Sequence, residues 1–566
     1  MNIIKNEPAG SLRPQKLGEL MYRENKTHII IGPYRTNDSD ACFQCFLSAL
    51  RQNKSPYLDI VEDDRLTDTY FTKIKQDLKD IMLPRNEVVI IHKATHTLSI
   101  KKIRKDVFCP LCRDHVAPGK TWSRPNSQVD FGESGRIHAF AVTQQHIDEA
   151  YDFLIDSDTG IGKSVFRDVE SDVIPMYGIQ SFLGAKEYYS YGRTKSLLES
   201  KYISCLEMME RYSSIVPHFK ETVFGSYTEL KVLHPVVHPA SLHLTDVSSA
   251  QPEHPIKPFH PDQSYHWTEC FNIGTGSTVL LPEQAVYYDN QFIRQEERFL
   301  YETSNGTALG GSFEEAVMYS LFELIERDAF LVHWYARMKP KRIQVSPDDD
   351  EDIVTLMATM KRRGFDVHLF DITLETGFPV VWAMAINQRT DANLKIYNAA
   401  GCHFYARNAV KSALVEVVSS TLIYDKVLQH EKASYSHLVH APHNVQSMED
   451  HVNYYAFDEH FESFSDILDR LDERETVVFS EMDQRLTIPF TYEAVIHRML
   501  QHHPDIYVAD LSNYVTNKAK VFVTKAIVPT MQPMTFGMNN ERINKERIGH
   551  FLLAGTTRNK APHPFP

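Results

Sequence analysis

Apolar and polar positions follow two rhythms along this chain. Near its start "THIIIGP" (residues 27–33) is a continuous apolar run closed by Gly-Pro, the pattern of a strand ending in a turn. "DACFQCFLSALRQN" then carries apolar residues at helical spacing, and "NEVVIIHKATHTLSI" divides into two strands. "FCPLCRDH" reads as a tight knuckle. The opening segment "NEPAGSLRPQKLGELMYRENK" holds one short helical pattern and no strand pair. Residues 113–136 are rich in Pro, Gly, Ser and charge, which places a domain boundary there. From about residue 140 onward helix and strand patterns alternate, the mark of an α/β fold. Residues 234–266 are expected to be loops with short strands, and "SPDDDED" an acidic surface or helix start.

Two helical segments share a polar pattern set in apolar surroundings. "SCLEMMERYSS" (204–214) and "SLFELIERDAF" (320–330) both read Ser-x-x-Glu-x-x-Glu-Arg. On a helix, positions three apart share a face, so Glu207/Glu210 and Glu323/Glu326 form two carboxylate pairs. A solvated Glu-Arg stripe would explain either helix alone. Met208, Met209, Leu324 and Ile325 fill the gaps, however, and a helix apolar nearly all round is buried. Buried carboxylates need a cation or hydrogen-bond donors. Magnesium, oxygen-liganded and shared with phosphates, suits such a cluster, and Arg211 and Arg327 suit phosphate oxygens. "TSNGTALGGSFEEA" (303–316) precedes the second helix with Asn305-Gly306 and Gly310-Gly311, then Ser312 and Glu315. Glycines ahead of a helix N-terminus let backbone amides approach a phosphate. "GIGKS" (160–164) lacks the first glycine of a phosphate loop, since Ser157 stands there, and "GTGSTV" (274–279) lacks dinucleotide spacing.

Composition narrows the classes. A net charge of −14 argues against a nucleic-acid backbone as principal ligand. Apolar runs such as "EVVIIH" and "VFVTKAIVP" are strand-sized, too short to span a bilayer, and no early stretch reads as a secretion signal. A cytoplasmic protein is expected. Cys42, Cys45, Cys109 and Cys112 form two Cys-x-x-Cys pairs, the spacing of a tetrahedral zinc site, with redox or spectator roles as the alternative. Cys205, Cys270 and Cys402 are expected as buried thiols, and the histidines at 234, 238, 243, 254, 260 and 266 as loop residues.

The segments 192–213, 302–335 and 399–420 ("GRTKSLLESKYISCLEMMERYS", "ETSNGTALGGSFEEAVMYSLFELIERDAFLVHWY", "AAGCHFYARNAVKSALVEVVSS") resemble the three nucleotide-binding segments of the YcaO family. The resemblance implies an α/β fold in which a YcaO-type ATP-binding domain (150–566) follows a small α/β zinc-binding domain (1–135). It implies ATP held through Mg²⁺ by Glu207, Glu210, Glu315, Glu323, Glu326 and Glu416. Ser204, Asn305, Arg211 and Arg327 are the implied polar contacts. The third segment departs from the family pattern, with Ser420 where a Gln commonly follows the Glu by four. The surroundings of the cysteine pairs resemble the zinc-binding part of the E1-like domain of peptide cyclodehydratases, in a reduced form. The ending "PHPFP" looks like the Pro-x-Pro-x-Pro tail of those enzymes, which assigns a catalytic carboxylate to Pro566.

The activity so implied is ATP-dependent cyclodehydration of Cys, Ser or Thr in a ribosomally made precursor peptide, giving thiazoline or oxazoline in bacteriocin- or thiopeptide-like biosynthesis. Thioamide or amidine formation and a non-catalytic scaffold are the alternatives. Implied partners are the precursor, a separate leader-peptide-binding protein, a dehydrogenase completing azoles, and a second copy in a homodimer. Only some two dozen residues precede "THIII", whereas a winged-helix leader-binding module needs on the order of 60 or more. Leader recognition by the ATP-binding domain itself is the alternative.

Overall fold

The computed structural model describes residues 2–5, 15–77, 85–112, 129–132, 135–137, 141–184, 186–247 and 254–565. The expected boundary at 113–136 lies largely outside them. The first sheet has five strands in sequence order: Asn2–Lys5, Glu19–Glu24, His28–Tyr34, Glu87–His92 and Leu98–Lys102. The expected helical pattern in the opening segment is corrected here. Glu19–Glu24 is a strand antiparallel to His28–Tyr34, with Asn2–Lys5 parallel on its other side. All six of its residues are buried. Leu20 and Tyr22 pack with Ile29 and Ile31 on one face, and Met21 packs with Ile30 on the other. A strand buried on both faces has no polar alternation to announce it. The His28–Tyr34 strand also runs through Gly32-Pro33 instead of ending there.

A three-stranded meander follows: Gly162–Asp168, Met176–Leu183 and Lys186–Arg193. Beyond it lie two larger sheets. One has the order Ser277–Pro282, Ser264–Asn272, Tyr507–Asp510, Phe522–Ile527, Thr307–Gly310, with Val223–Ser226 paired to Ser264–Asn272. His266 therefore sits on a strand, bonded to Glu296, and is no loop residue. The other sheet runs Ile396–Cys402, Val380–Asn387, Phe365–Asp371, Lys341–Ile343, Thr476–Val477.

Helix Phe313–Tyr335 lies between these two sheets, touching Thr307–Gly310 and Phe522–Ile527 on one side and Ile396–Cys402 and Val380–Asn387 on another. That is why it is apolar almost all round. Val380–Asn387 is buried on both faces: Val380, Trp382 and Met384 point toward this helix, while Val381, Ala383 and Ala385 point toward helix Ala406–Glu431. Helix Leu197–Ile215 covers the meander. Among the described residues no helix is long and apolar enough to cross a membrane.

Candidate functional site

Three strand–turn–helix units meet at the carboxylates. Lys186–Arg193 leads into Leu197–Ile215, Thr307–Gly310 into Phe313–Tyr335, and Ile396–Cys402 into Ala406–Glu431. Each strand ends near a glycine pressed on its own helix. A Cβ at Gly192, Gly310 or Gly401 would lie 1.8, 2.4 or 2.3 Å from helix backbone atoms of Ser200, Ala316 or Ala409. The glycine-rich lead-in at 310 thus serves close strand–helix packing. Ser196 and Ser312 cap the first two helices through the amides of Glu199 and Glu315.

The glutamates tie the units into a closed ring. Glu207 accepts the amide of Tyr191, on its own unit's strand, at 2.6 Å. Glu210 reaches to the second unit and accepts the Leu309 amide at 3.0 Å. Glu326 reaches to the third and accepts the Cys402 amide at 3.1 Å. Glu416, on the third helix, meets Arg193 of the first unit at 3.4 Å, closing the circuit. The backbone amide of Gly306 opposes the rise in the proton affinity of Glu323.

Protein cations cover this charge unevenly. Arg211 donates twice to Glu207, at 2.9 and 2.7 Å. Arg327 stands 3.6 Å from Glu323 and 3.7 Å from Glu326, beyond hydrogen-bond reach. Burial, then the charges of Glu323 and Glu207, pushes the Glu210 carboxyl up to about 8. Burial lifts Glu326 to about 7 against the pull of Arg327, with Glu416 and Glu323 adding to the rise. Glu323 is raised by the same burial. The Nη1 of Arg327 and the Oδ1 of Asn305 are buried without partners. A divalent cation with phosphate oxygens fits this set, because it supplies the charge the carboxylates lack and acceptors for the arginine.

Glu207, Glu210, Glu323, Glu326 and Glu416 are therefore brought together, with Arg211 and Arg327 beside them. Glu315 stands apart, bonded to Arg136 at 2.8 Å and to the Ile137 amide at 3.1 Å. Ser204 is buried, its hydroxyl donating to the Lys201 carbonyl of its own helix. Pro566 lies outside the described residues. Sequence reasoning missed Arg193 and Lys525. Lys525 is 1% exposed, donates to the Thr303 carbonyl at 2.7 Å and lies near Glu302 and Glu323. Its signal was present: one lysine inside the apolar run "VFVTKAIVP".

A second cluster sits under the first sheet. Cys42 stands at the position before helix Phe43–Gln52, Cys45 lies in its first turn, and Cys109 and Cys112 close a turn after the Leu98–Lys102 strand. All four are buried. The Sγ of Cys42 is 3.7, 3.7 and 3.5 Å from those of Cys45, Cys109 and Cys112, and all four sulfurs lie within 4.8 Å of one another. Zn–S bonds of about 2.3 Å in a tetrahedron set the sulfurs about 3.8 Å apart, close to the three distances from Cys42. Cys205, Cys270 and Cys402 are separate buried thiols, as expected.

Four similarities accompany this geometry. A solved heterocyclase, in complex with substrate and cofactor, superposes with a TM-score of 0.67 at 19% identity, covering 97% of this chain and 77% of that one. The heterocyclase TruD gives 0.62 at 18%, covering 97% and 75%. At these identities the likeness is one of fold. An uncharacterized protein of Methanothermobacter thermautotrophicus is 27% identical over 240 residues, covering 42% of this chain and only 58% of that relative's own length. The family model for YcaO cyclodehydratase, ATP- and Mg²⁺-binding, matches residues 191–532, more than half of the chain and all three carboxylate helices. The chain belongs to the YcaO cyclodehydratase family.

Proposed function

We propose that the carboxylate ring is a magnesium–ATP site and that the chain is an azoline-forming peptide cyclodehydratase. One observation carries this reading: Glu210, Glu323 and Glu326, from two helices, hold raised proton affinities with no protein cation in hydrogen-bond contact. Glu207, Glu210, Glu323 and Glu326 would hold Mg²⁺, with Glu416 completing the ring and Glu315 joining once freed from Arg136. Bound magnesium supplies positive charge to the phosphate oxygens. Asn305, Arg211, Ser204 and Arg327 are the polar contacts assigned to ATP.

The substrate is a precursor peptide whose Cys, Ser or Thr side chain attacks the preceding backbone carbonyl. The former amide oxygen takes a phosphoryl group from ATP and departs as phosphate, so the ring forms with net loss of one water. An amide oxygen leaves poorly unless phosphorylated, and the task of the chain is to position these groups and offset charge. Arg327 offers an unused donor to an anionic oxygen. The charge of buried Lys525 keeps the Glu323 carboxylate from being wholly unopposed. The carboxylate of Pro566 is assigned to proton transfer or site organisation. We assign zinc, held by the four cysteines, to structure alone. The reading divides the chain at 1–135 and 150–566, consistent with a first sheet that has its own core. It includes a leader-binding partner protein, a dehydrogenase and a homodimer.

The test is mass spectrometry of a Cys-, Ser- and Thr-containing peptide encoded beside this protein's gene, incubated with ATP, Mg²⁺ and the chain with its neighbouring gene products. Loss of one water per ring, dependent on ATP, is expected. Replacement of oxygen by sulfur would favour thioamide formation, and an unchanged mass would leave a scaffold role.

A further inference from the structure

The two echoed arginines close the same Ser-x-x-Glu-x-x-Glu-Arg pattern and differ in state. Arg211 is committed to Glu207 by two hydrogen bonds. Arg327 makes none to its glutamates, and its Nη1 is buried and unpartnered. A half-buried guanidinium without directional bonds needs something else to fix its plane.

That support is Phe565. Its ring centroid lies 4.0 Å from the Arg327 guanidinium carbon. Phe565 is fully buried and set edge-on against Phe330, 4.7 Å away at 87°. The backbone leading to it is clamped by four side-chain hydrogen bonds. Trp334 Nε1 donates to the Ala561 carbonyl at 3.1 Å, and the Tyr455 hydroxyl to that of Pro562 at 2.5 Å. His451 Nδ1 donates to the His563 carbonyl at 2.7 Å, and His563 Nε2 to that of Thr535 at 2.8 Å. The His451 tautomer is fixed, because its Nε2 accepts the Gly537 amide.

We infer that Phe565 is a positioning residue: its π face holds Arg327 flat and off its neighbouring carboxylates, so that Nη1 stays available to an anionic phosphate oxygen. This rests on the nucleotide reading above. An aromatic face attracts a guanidinium without using any N–H, whereas a carboxylate partner would consume donors. Arg211 shows the second condition and Arg327 the first.

The experiment compares the purified full chain with Phe565→Leu, Phe565→Met and Phe565→Tyr by calorimetric titration with Mg-ATP. Leu and Met keep apolar bulk and lack the π face, while Tyr keeps it. Leu and Met are expected to weaken Mg-ATP binding about 3- to 10-fold, and Tyr to stay within about twofold of wild type. Nucleotide-free melting midpoints of Leu or Met should stay within about 4 °C of wild type. Wild-type affinity in Leu or Met overturns the role, as does a loss in all three variants that tracks lowered melting points. A wild-type chain that binds no Mg-ATP overturns the nucleotide reading together with this one.

Discussion

Glu210 is the residue whose charge the fold supports least. It receives one backbone amide, and burial beside Glu323 and Glu207 lifts its carboxyl to about 8. A carboxyl raised above its unfolded value binds protons more tightly in the native state, so stability falls as pH climbs from about 4.5 through about 8. Without metal, the melting midpoint of the wild type should therefore fall between about pH 6 and pH 9 relative to Glu210→Gln, which lacks the titration. With Mg-ATP present, the wild-type midpoint should rise most at the alkaline end, since proton and metal compete for the same oxygens. Melting curves across pH for both proteins check this; parallel profiles would contradict it. The carboxylates themselves were legible, because glutamates spaced on one face of an apolar helix need a partner. Their anchors were not. Tyr191, Leu309 and Cys402 contribute only backbone amides, which every residue type carries. The different fates of Arg211 and Arg327 were equally hidden, since they depend on Phe565, remote in sequence.

The helices with mixed polar and apolar character could be read from the chain, and so could strands Glu87–His92 and Leu98–Lys102. Strand Glu19–Glu24 could not, because burial of both faces erased its period. At this scale the cysteine knuckle is the main element to test. Cys109→Ala should lose one tightly held zinc and raise hydrogen exchange in strands 19–24, 28–34 and 87–92, while Mg-ATP affinity stays near wild type. Removing a structural metal from a small core unfolds what it ties together. Elemental analysis with exchange mass spectrometry decides the matter, and metal-free wild type would refute the assignment. The tail before Phe565 is an element of its own kind, held by neutral, stacked His451 and His563, 4.0 Å apart. Burial lowers both, His451 to about 4. A base depressed in the native state costs stability as pH falls below its unfolded value, so the protection of amides over 559–565, referred to the intrinsic exchange rate at each pH, should fall between about pH 6.5 and pH 4. Protection that stays constant over that range would show that the histidines do not set the hold.

Across the whole molecule, three strand–helix units from distant parts of the chain close on one another through Glu210, Glu326 and Glu416. Each alone would leave unpaired charge in a half-buried position, so the ring forms only when all three are in place. The first sheet, with its cysteine cluster, stands outside this ring. A leader-binding partner is expected to raise the chain's affinity for a labelled precursor at least about tenfold, by converting an encounter into a local one. Tight leader-dependent binding by the chain alone would remove that partner from the account. The most direct test of the ring is calorimetric titration of ATP into wild type and Glu323→Gln, each with Mg²⁺ and with a chelator. Binding by the wild type with Mg²⁺ is expected, and its loss on chelation or in Glu323→Gln, with folding unchanged by circular dichroism. Equal ATP affinity in all four titrations would contradict it.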